Sequence, residues 1–370
     1  YSQSITVFAN ILEFENCKIN RMKIDNSPQL DFNNVLIRPK RTTLSSRSQV
    51  NLEREFTFPN SKAVWKGVPI LSANMDTTGT FEVYEVLKQH KLVTCFTKFY
   101  KKSHYEAYIK ENGPLDPEYF MISTGINEAE FDDLLDLVEI TNAKWICVDV
   151  ANGYMEKALM YCKKVRGHFE HYKDIILVAG NVASREMVEE YIISGGVDIV
   201  KVGIGPGSAC LTRQKTGVGV PQLSAIMDCA DAAHGVNGYI IGDGGITCPG
   251  DMAKAFGGGA DFVMVGGQFA GHDENPGEVE ILNGKAFKMF YGMSSQHAME
   301  KHYGKMSSYR SSEGRAIKIP YKGPLKNTVL DYLGGLRSTC TYINAKCIKH
   351  IPKCTTFLMV SQQLNTHFVK

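Results

Sequence analysis

Short apolar segments alternate with amphipathic segments along most of this chain, and the alternation predicts its architecture. The apolar segments are rich in Val and Ile and continuously hydrophobic, which is typical of parallel strands that helices cover on both faces. Eight such segments occur, at residues 68–75, 92–98, 120–124, 145–150, 175–182, 199–204, 239–244 and 262–266. Eight strands that each precede a helix predict a (β/α)8 TIM barrel, with a doubly wound open sheet as the alternative.

Helical periodicity lies between the predicted strands, for example at residues 80–89, 184–194, 221–234 and 249–256. Ser184 and Pro221 suit the starts of two of these helices, and Gly235 and Gly257 suit the ends of two. After Phe269 the alternation stops and polar motifs follow. We therefore expect the tail to form a C-terminal excursion over the barrel mouth rather than a separate domain.

The length of 370 residues suits one large barrel domain, which we place at residues 22–370. Residues 1–21 precede the first methionine, Met22, and lack the basic start and apolar centre of a signal peptide. We expect them to form an extension outside the fold.

Charge and cysteine content narrow the class of protein further. A formal net charge of +2 gives no strong field for nucleic acid, and no apolar run approaches the length of a membrane span, so neither partner is expected. The ten cysteines are scattered and form no Cys-x-x-Cys pair. This pattern favours reduced thiols in a cytoplasmic protein over disulfides or structural zinc.

The most informative chemistry follows the sixth predicted strand, in the segment 203–213, which we name the nucleophile loop. It places Cys210 in a loop with three glycines, Thr212 and Arg213. A thiol beside exposed backbone amides and a fixed positive charge is a candidate nucleophile, because the thiolate is favoured there. A small buried cysteine at a tight turn is the alternative.

Glycine pairs end the seventh and eighth predicted strands, where barrels often bind phosphate. Gly244 and Gly245 follow one strand, and Gly266 and Gly267 follow the other, so their N–H groups are candidate donors to an anion. Asp243 is a candidate acceptor for ribose hydroxyls. The combination predicts a nucleoside monophosphate, although a tight strand–helix corner explains one Gly-Gly pair equally well.

Three motifs in the tail complete the candidate site. Residues 290–295 mix aromatic surface with hydroxyls, as a purine pocket would. Residues 308–314 place Arg310 and Glu313 in one short loop, and residues 334–341 are predicted to form a further anion-facing turn. Taken singly each motif is weak, since an Arg-x-x-Glu pair on a surface is usually a solvated ion pair.

Together these motifs resemble the IMP dehydrogenase / GMP reductase family, and more closely its reductases. The resemblance runs from about Leu30 to Phe368 and is carried by the nucleophile loop and by residues 31–40, 149–154, 256–264 and 335–342. The short segment after the second strand and the tail sequences Tyr-Gly-Met-Ser-Ser and Arg-Ser-Thr-Cys-Thr-Tyr favour the reductases.

The resemblance implies that GMP and NADPH give IMP, ammonia and NADP⁺ through a covalent thioimidate on Cys210, in purine interconversion and salvage. It implies that Thr212 and Glu313 relay the proton and that Lys98 orients cofactor and leaving group. A catalytically weakened or non-catalytic paralogue that binds purine nucleotide, or an enzyme with IMP dehydrogenase-like activity, are the alternatives.

The resemblance also implies binding residues and a homotetramer. Those for the nucleotide are Asp243, Gly244, Gly245, Gly266, Gly267, Gly292, Met293, Ser294, Arg310, Ser311, Ser312 and Gly314. Those for NADPH are Ser46, Arg47, Lys98, Asp149, Val150, Ala151, Ile204, Gly205, Met293, Tyr309, Arg310, Ser338, Thr339, Cys340 and Thr341, with Ser46 and Arg47 supplied by a neighbouring subunit. Those for a monovalent cation, K⁺ by expectation, are Gly205, Gly207, Cys210 and Arg213.

The chain departs from the reductase pattern at several positions next to these residues. Lys98 is flanked by Thr97 and Phe99 where the family usually has histidines. The other departures are Leu211, Gly242, Ile246 and Gln268. The resemblance still implies the activity, because the chain retains Cys210, Thr212, Glu313 and Lys98. The departures are expected to alter cofactor affinity and rate.

Overall fold

The computed structural model describes residues 24–170, 174–305 and 311–361. The extension predicted at residues 1–21 lies outside the described residues, and the single domain at 22–370 stays a prediction. The first three strands precede the barrel: β1 (Val35–Ile37), β2 (Arg54–Thr57) and β3 (Val64–Gly67). β2 and β3 form an antiparallel hairpin. Short 3-10 turns at Phe32–Asn34, Arg47–Gln49, Lys88–His90 and Ile348–His350 connect longer elements.

Eight parallel strands close into a barrel, and each lies within one of the eight predicted segments. They are β4 (Ile70–Ser72), β5 (Val93–Cys95), β6 (Phe120–Thr124), β7 (Trp145–Asp149), β8 (Ile176–Val182), β9 (Ile199–Val202), β10 (Tyr239–Asp243) and β11 (Phe262–Val265). Their order around the barrel follows the chain, and β11 pairs with β4 to close it. The predicted (β/α)8 barrel is confirmed, and the open sheet is excluded.

A helix follows each barrel strand in the outer layer, and further helices lie in the loops and the tail. They are α1 (Phe81–Leu87), α2 (Lys102–Asn112), α3 (Glu128–Thr141), α4 (Glu156–Phe169), α5 (Arg185–Ile193), α6 (Thr212–Thr216), α7 (Gln222–Gly235), α8 (Pro249–Gly257), α9 (Gln296–Tyr303), α10 (Leu325–Ile343) and α11 (Ile351–Cys354). Ser184 and Pro221 are the N-cap residues of α5 and α7, as predicted. Among the helices in the described ranges, none combines the length and apolarity needed to cross a bilayer.

The C-terminal part of the chain is only partly an excursion. Residues 266–324, which we call the excursion, contain α9 and the antiparallel sheet of β12 (Glu280–Leu282), β13 (Lys285–Tyr291) and β14 (Ala316–Pro320). α10 then packs against α8 and α1 and supplies the eighth helix of the barrel. The last strand, β15 (Phe357–Met359), pairs with β1. The excursion is therefore an insertion between the eighth strand and the eighth helix.

The segment 334–341 lies inside α10, so its prediction as an anion-facing turn is wrong. Gly335 is explained by packing instead, whereas a Cβ on Gly334 would meet no other atom of the described residues within 4 Å. A Cβ on Gly335 would lie 2.4 Å from Cβ of Pro249, at the start of α8. Glycine lets the two helices approach closely at this point, and the helix continues to Ile343.

Aromatic side chains seal the end of the barrel where the strands begin. Phe56 of the β2–β3 hairpin stacks on Phe262 with ring centroids 4.4 Å apart, and Trp65 meets Trp145 edge-on at 5.4 Å. All four rings are almost fully buried. Because this end is closed by large apolar side chains, ligands reach the barrel interior from the C-terminal ends of the strands, which form the barrel mouth.

Candidate active site

Cys210 begins a chain of three hydrogen-bonded side chains at the barrel mouth. Its Sγ donates to Oγ1 of Thr212 at 3.2 Å, and this hydroxyl donates to Oε2 of Glu313 at 2.8 Å. All three residues are partly exposed. A proton on the thiol therefore has a direct path, through one hydroxyl, to a carboxylate that solvent and ligands can reach.

The excursion brings Glu313 to the nucleophile loop across a separation of 101 residues. The backbone N–H of Leu211 donates to the carbonyl of Glu313 at 2.6 Å, and that of Arg315 donates to Ala209 at 3.0 Å. A Cβ on Gly314 would lie 2.7 Å from the backbone nitrogen of Ser295. Glycine is therefore needed at 314 for this segment to fit between the nucleophile loop and residues 292–295.

The glycine loops after β10 and β11 both reach the nucleophile loop. Gly244 and Gly245 have φ of +92° and +79°, which other residues rarely adopt. A Cβ on Gly244 would lie 3.0 Å from Pro206, and one on Gly267 would lie 3.0 Å from Oγ of Ser208. Ser208 is exposed between these loops and was missed by sequence reasoning, although a hydroxyl after glycine in a phosphate-binding loop is a usable signal.

A buried lysine beneath these loops was also missed. Lys201 in β9 is 2% exposed, and its ammonium lies 2.9 Å from Oδ1 of Asp149 and 3.5 Å from Oδ2 of Asp243. The amide of Asn181 donates to the same Asp243 oxygen at 2.8 Å. A lysine within the run Ile199–Val202 was the available signal, since a charge in a buried strand needs a partner.

These charges fix each other's protonation. Burial raises the pKa of Asp149, but the ammonium groups of Lys201 and Lys98 outweigh it and hold that pKa at about 2. Burial lowers the pKa of Lys201, and the carboxylates of Asp149 and Asp243 raise it well above its usual value. At neutral pH Lys201 is therefore charged, and Asp149 carries a carboxylate at the mouth.

Lys98 lies in the loop after β5, at the edge of a cavity of about 310 Å³. The cavity is also lined by residues of α2, β6 and α3, including Lys102, Asp133 and Asp136. The remaining cofactor residues of this group follow the ends of β7 and β9: Asp149, Val150, Ala151, Ile204 and Gly205. This part of the predicted cofactor set therefore shares the mouth with Cys210.

The second part of the predicted cofactor set lies elsewhere, on the outer helical layer. Ser46, Arg47 and Thr341 line a cavity of about 270 Å³ together with Lys40, Thr42, Leu44, Ser45 and Tyr342. Of residues 338–341, Thr341 alone lines it. Cys340 is fully buried in α10, and burial raises the pKa of its thiol to about 12, so its side chain does not face this cavity.

Residues 290–295 were predicted to offer aromatic surface to a purine. The structure differs, because the two aromatic side chains of this segment are buried. Phe290 and Tyr291 are 2% and 6% exposed, because Phe290 packs against Ala209 of the nucleophile loop and Tyr291 bonds Asp76. Gly292, Met293 and Ser294 remain accessible, and Sδ of Met293 accepts the backbone N–H of Asp76 at 3.4 Å.

The loop that follows is only partly described. Tyr309 and Arg310 lie outside the described residues. Ser311 is exposed, and Oγ of Ser312 accepts the backbone N–H of Gln296 at 3.1 Å, at the start of α9. Ser312 also donates to the carbonyl of Gly314 at 2.8 Å. Its hydroxyl therefore joins the start of α9 to the segment that carries Glu313, just before β14.

The predicted cation residues are spread along the nucleophile loop, and Arg213 lies in α6. The carbonyl of Gly207 accepts the N–H of Cys210 at 3.0 Å. The guanidinium of Arg213 donates to Asp31 at 3.0 Å and to the carbonyl of Val220 at 2.7 Å, and its stem packs on Gly205. Within the described residues, no group of three His, Cys, Asp or Glu side chains is arranged to hold a metal. Main-chain oxygens are therefore the ligands that this loop offers.

Comparison with known proteins agrees with this arrangement. A sequence profile described as the IMP dehydrogenase / GMP reductase domain matches residues 29–366. The chain is 52% identical to a GMP reductase of Caenorhabditis elegans over 348 residues, which is 94% of this chain and 96% of the relative. It is 52% identical to human GMP reductase 2 over 346 residues, 93% and 98% of the two chains. It is 51% identical to a GMP reductase of Aeromonas hydrophila over 350 residues, 94% and 100%. The chain therefore belongs to the IMP dehydrogenase / GMP reductase family of oxidoreductases.

Proposed function

We propose that this enzyme converts GMP and NADPH to IMP, ammonia and NADP⁺. The hydrogen-bonded chain from Cys210 through Thr212 to Glu313 is the observation that carries the proposal. It joins a nucleophile to a proton acceptor at the mouth, next to glycine loops suited to a nucleotide. The name GMP reductase, borne by relatives that match almost the full chain, adds support.

In this mechanism the Cys210 thiol loses its proton to Glu313 through Thr212, and the thiolate adds to carbon 2 of guanine. The relay returns the proton to the exocyclic amine, the bond from carbon 2 to that nitrogen breaks, and ammonia leaves a thioimidate on Cys210. When bound, the reduced nicotinamide supplies a hydride to carbon 2. The bond from carbon 2 to sulfur then breaks, and the thiolate leaves as IMP is released. Covalent attachment divides one difficult displacement into two easier steps.

The nucleotide is held by the loops that converge on Cys210. Backbone N–H groups of Gly244, Gly245, Gly266 and Gly267 bind the phosphate, as glycine loops at a barrel mouth commonly do. Asp243 accepts hydrogen bonds from the ribose hydroxyls. The contacts from Lys201 and Asn181 support this role, because they hold one carboxylate oxygen and orient the other.

Substituting the carboxylate of the relay tests its role directly. Glu313→Gln keeps the shape but cannot accept the thiol proton, so we expect kcat to fall about 10²- to 10⁴-fold with little change in GMP affinity. Steady-state rates and equilibrium binding of GMP measure the two effects. Glu278→Gln, an exposed change in the same excursion, is the control and should behave as wild type. An unchanged kcat in Glu313→Gln would remove this residue from the mechanism.

Product analysis tests the function as a whole. The enzyme should consume NADPH only when GMP is present, and IMP and ammonia should appear in equal amounts. Turnover of IMP with NAD⁺ instead would indicate a dehydrogenase. Binding of GMP with no consumption of NADPH and no adduct on Cys210 would indicate a non-catalytic subunit.

The two groups of cofactor residues support a cofactor shared between subunits of a homotetramer. One group surrounds the mouth, and the other lines the outer cavity of Ser46, Arg47 and Thr341. Lys40 and Arg47 provide cations there, which suits the phosphates of a dinucleotide. We propose that the outer cavity of one chain completes the mouth of its neighbour, so that Thr341 comes from the same neighbour as Ser46 and Arg47.

Mixing two inactive variants tests this arrangement. Arg47→Ala should weaken NADPH binding, and Cys210→Ala should stop the chemistry. When the two are unfolded and reassembled together, about one site in four combines an intact cysteine with an intact neighbouring arginine, so part of the activity should return. Each variant reassembled alone is the control. Mixtures that stay inactive would show that each chain binds its cofactor alone.

We also propose a monovalent cation, K⁺ by preference, on main-chain carbonyls of the nucleophile loop. Backbone carbonyls are typical ligands of such ions. Gly205 and Cys210 are partly exposed in this loop, whereas the carbonyl of Gly207 already accepts one hydrogen bond, which leaves it a second lone pair. The ion would hold the loop that carries the nucleophile. The described cysteines are free thiols, and this supports a cytoplasmic location for the enzyme, because disulfides are rare in that reducing compartment.

A further inference from the structure

A buried carboxylate at the end of the first barrel strand joins the excursion to the mouth. The side chain of Asp76 is 3% exposed and has four polar partners. Two come from α9: the ammonium of Lys301 at 2.9 Å and Nε2 of His302 at 2.6 Å. The hydroxyl of Tyr291 donates at 2.9 Å and that of Thr97 at 3.1 Å.

His302 also contacts the loop that carries Lys98. Its ring lies parallel to the ring of Phe99, with centroids 3.4 Å apart and planes within 6°. Thr97 and Phe99 flank Lys98 in the chain, and they contact Asp76 and His302 respectively. The Asp76–His302 pair therefore holds Lys98 from both sides, although neither residue is in the predicted catalytic set.

The charges in this cluster are complementary. Burial raises the pKa of Asp76, but hydrogen bonds from Lys301, His302 and Tyr291 outweigh it and lower that pKa. The carboxylate is therefore ionised at neutral pH and binds α9 through charge-assisted hydrogen bonds. Because Ser312, next to Glu313, also bonds the start of α9, the contacts that fasten α9 to Asp76 help to position Glu313.

We propose that His302 is a positioning residue, which fixes the Lys98 loop and docks α9 over the mouth through Asp76 and Phe99. The inference rests on the proposed function in one respect, namely that Lys98 orients the cofactor. Loss of the imidazole then releases both the loop and the helix. Cofactor binding weakens, while the nucleotide loops after β10 and β11 stay in place.

The test uses the full-length enzyme with His302→Ala, His302→Gln and the control His297→Ala. His297 is on the same helix, is exposed and contacts the ring of Tyr291 rather than Asp76. We expect His302→Ala to raise the KM for NADPH about tenfold, equivalent to about 1.4 kcal/mol, and to leave the Kd for GMP unchanged. His302→Gln should recover part of this loss, because its amide donates to Asp76 but cannot stack on Phe99.

Hydrogen exchange in the ligand-free enzyme separates this inference from the proposed reaction. In His302→Ala, amides of residues 97–100 and 296–303 should exchange faster, and those of β8 should not. Faster exchange throughout the chain, or unchanged exchange at 97–100, would overturn the inference whether or not GMP is reduced. If His302→Ala does not fold, Phe99→Leu and His302→Gln make the same comparison. Their effects on exchange should be less than additive in the double variant, and additivity would overturn the inference.

Discussion

Replacing Cys210 with alanine should reduce GMP-dependent oxidation of NADPH by a factor on the order of 10⁴ or more, because no other group can form the bond to carbon 2. GMP affinity should change little, since the phosphate and ribose are held by the loops after β10 and β11. Loss of NADPH absorbance measures the rate, and calorimetry measures binding.

Mass spectrometry distinguishes the covalent step from binding alone. Wild-type enzyme exposed to GMP and acid-quenched should carry an adduct on the peptide that contains Cys210, and Cys210→Ala should carry none. Cys248→Ala removes a more exposed thiol and is the matched control, with full activity expected. Substantial turnover by Cys210→Ala would contradict the mechanism.

The barrel was predictable because its strands are buried on both faces. Such strands are continuously apolar, so their positions could be predicted from the sequence. The predicted limits of β6 match the structure, and those of the other strands are slightly too long. Where the limits were too long, apolar residues or glycine continue beyond the strand, as Ile175 does before β8. Residues 262–266, for example, contain β11 and the first residue of a glycine loop.

The excursion was harder to predict, because its residues contact partners that are far away in the chain. Glu313 was assigned to the relay by resemblance, but its contact with Thr212 spans 101 residues, and no local pattern encodes it. The pair of Asp76 and His302 spans 226 residues and was missed entirely. Gly335 was assigned to a turn, because a sequence does not reveal that another helix approaches at that position.

The departures next to Lys98 are better understood together with these distant contacts. Thr97 and Phe99 break the family pattern when the loop is considered alone. In the folded chain Thr97 donates to Asp76 and Phe99 stacks on His302, so the loop remains held. The position of Lys98 therefore depends on a cluster of contacts and not on its own segment alone.

Replacing Lys201 with methionine should lower the free energy of unfolding at pH 7 by about 3 kcal/mol, because it removes the ammonium between two carboxylates inside the barrel. Asp149 and Asp243 would remain, each with a side chain at least 20% exposed, and solvent relieves only part of their repulsion. Urea unfolding measures the loss. Lys110→Met, on the exposed face of α2, is the control and should change stability by less than about 0.5 kcal/mol.

The pH dependence of this loss identifies its origin. In the wild type, the pKa of Asp149 is lowered to about 2 from a usual value of 3.8, so its ion pair stabilises the fold above pH 3.8 and is lost as the pH falls toward 2. Without Lys201, burial moves this pKa upward, and protonation then relieves the destabilisation. The difference between wild type and Lys201→Met should therefore shrink as the pH falls from 7 to about 4. Lys201→Met combined with Asp149→Asn should recover part of the stability at pH 7. A difference that stays constant with pH would instead attribute the loss to packing of the lysine stem.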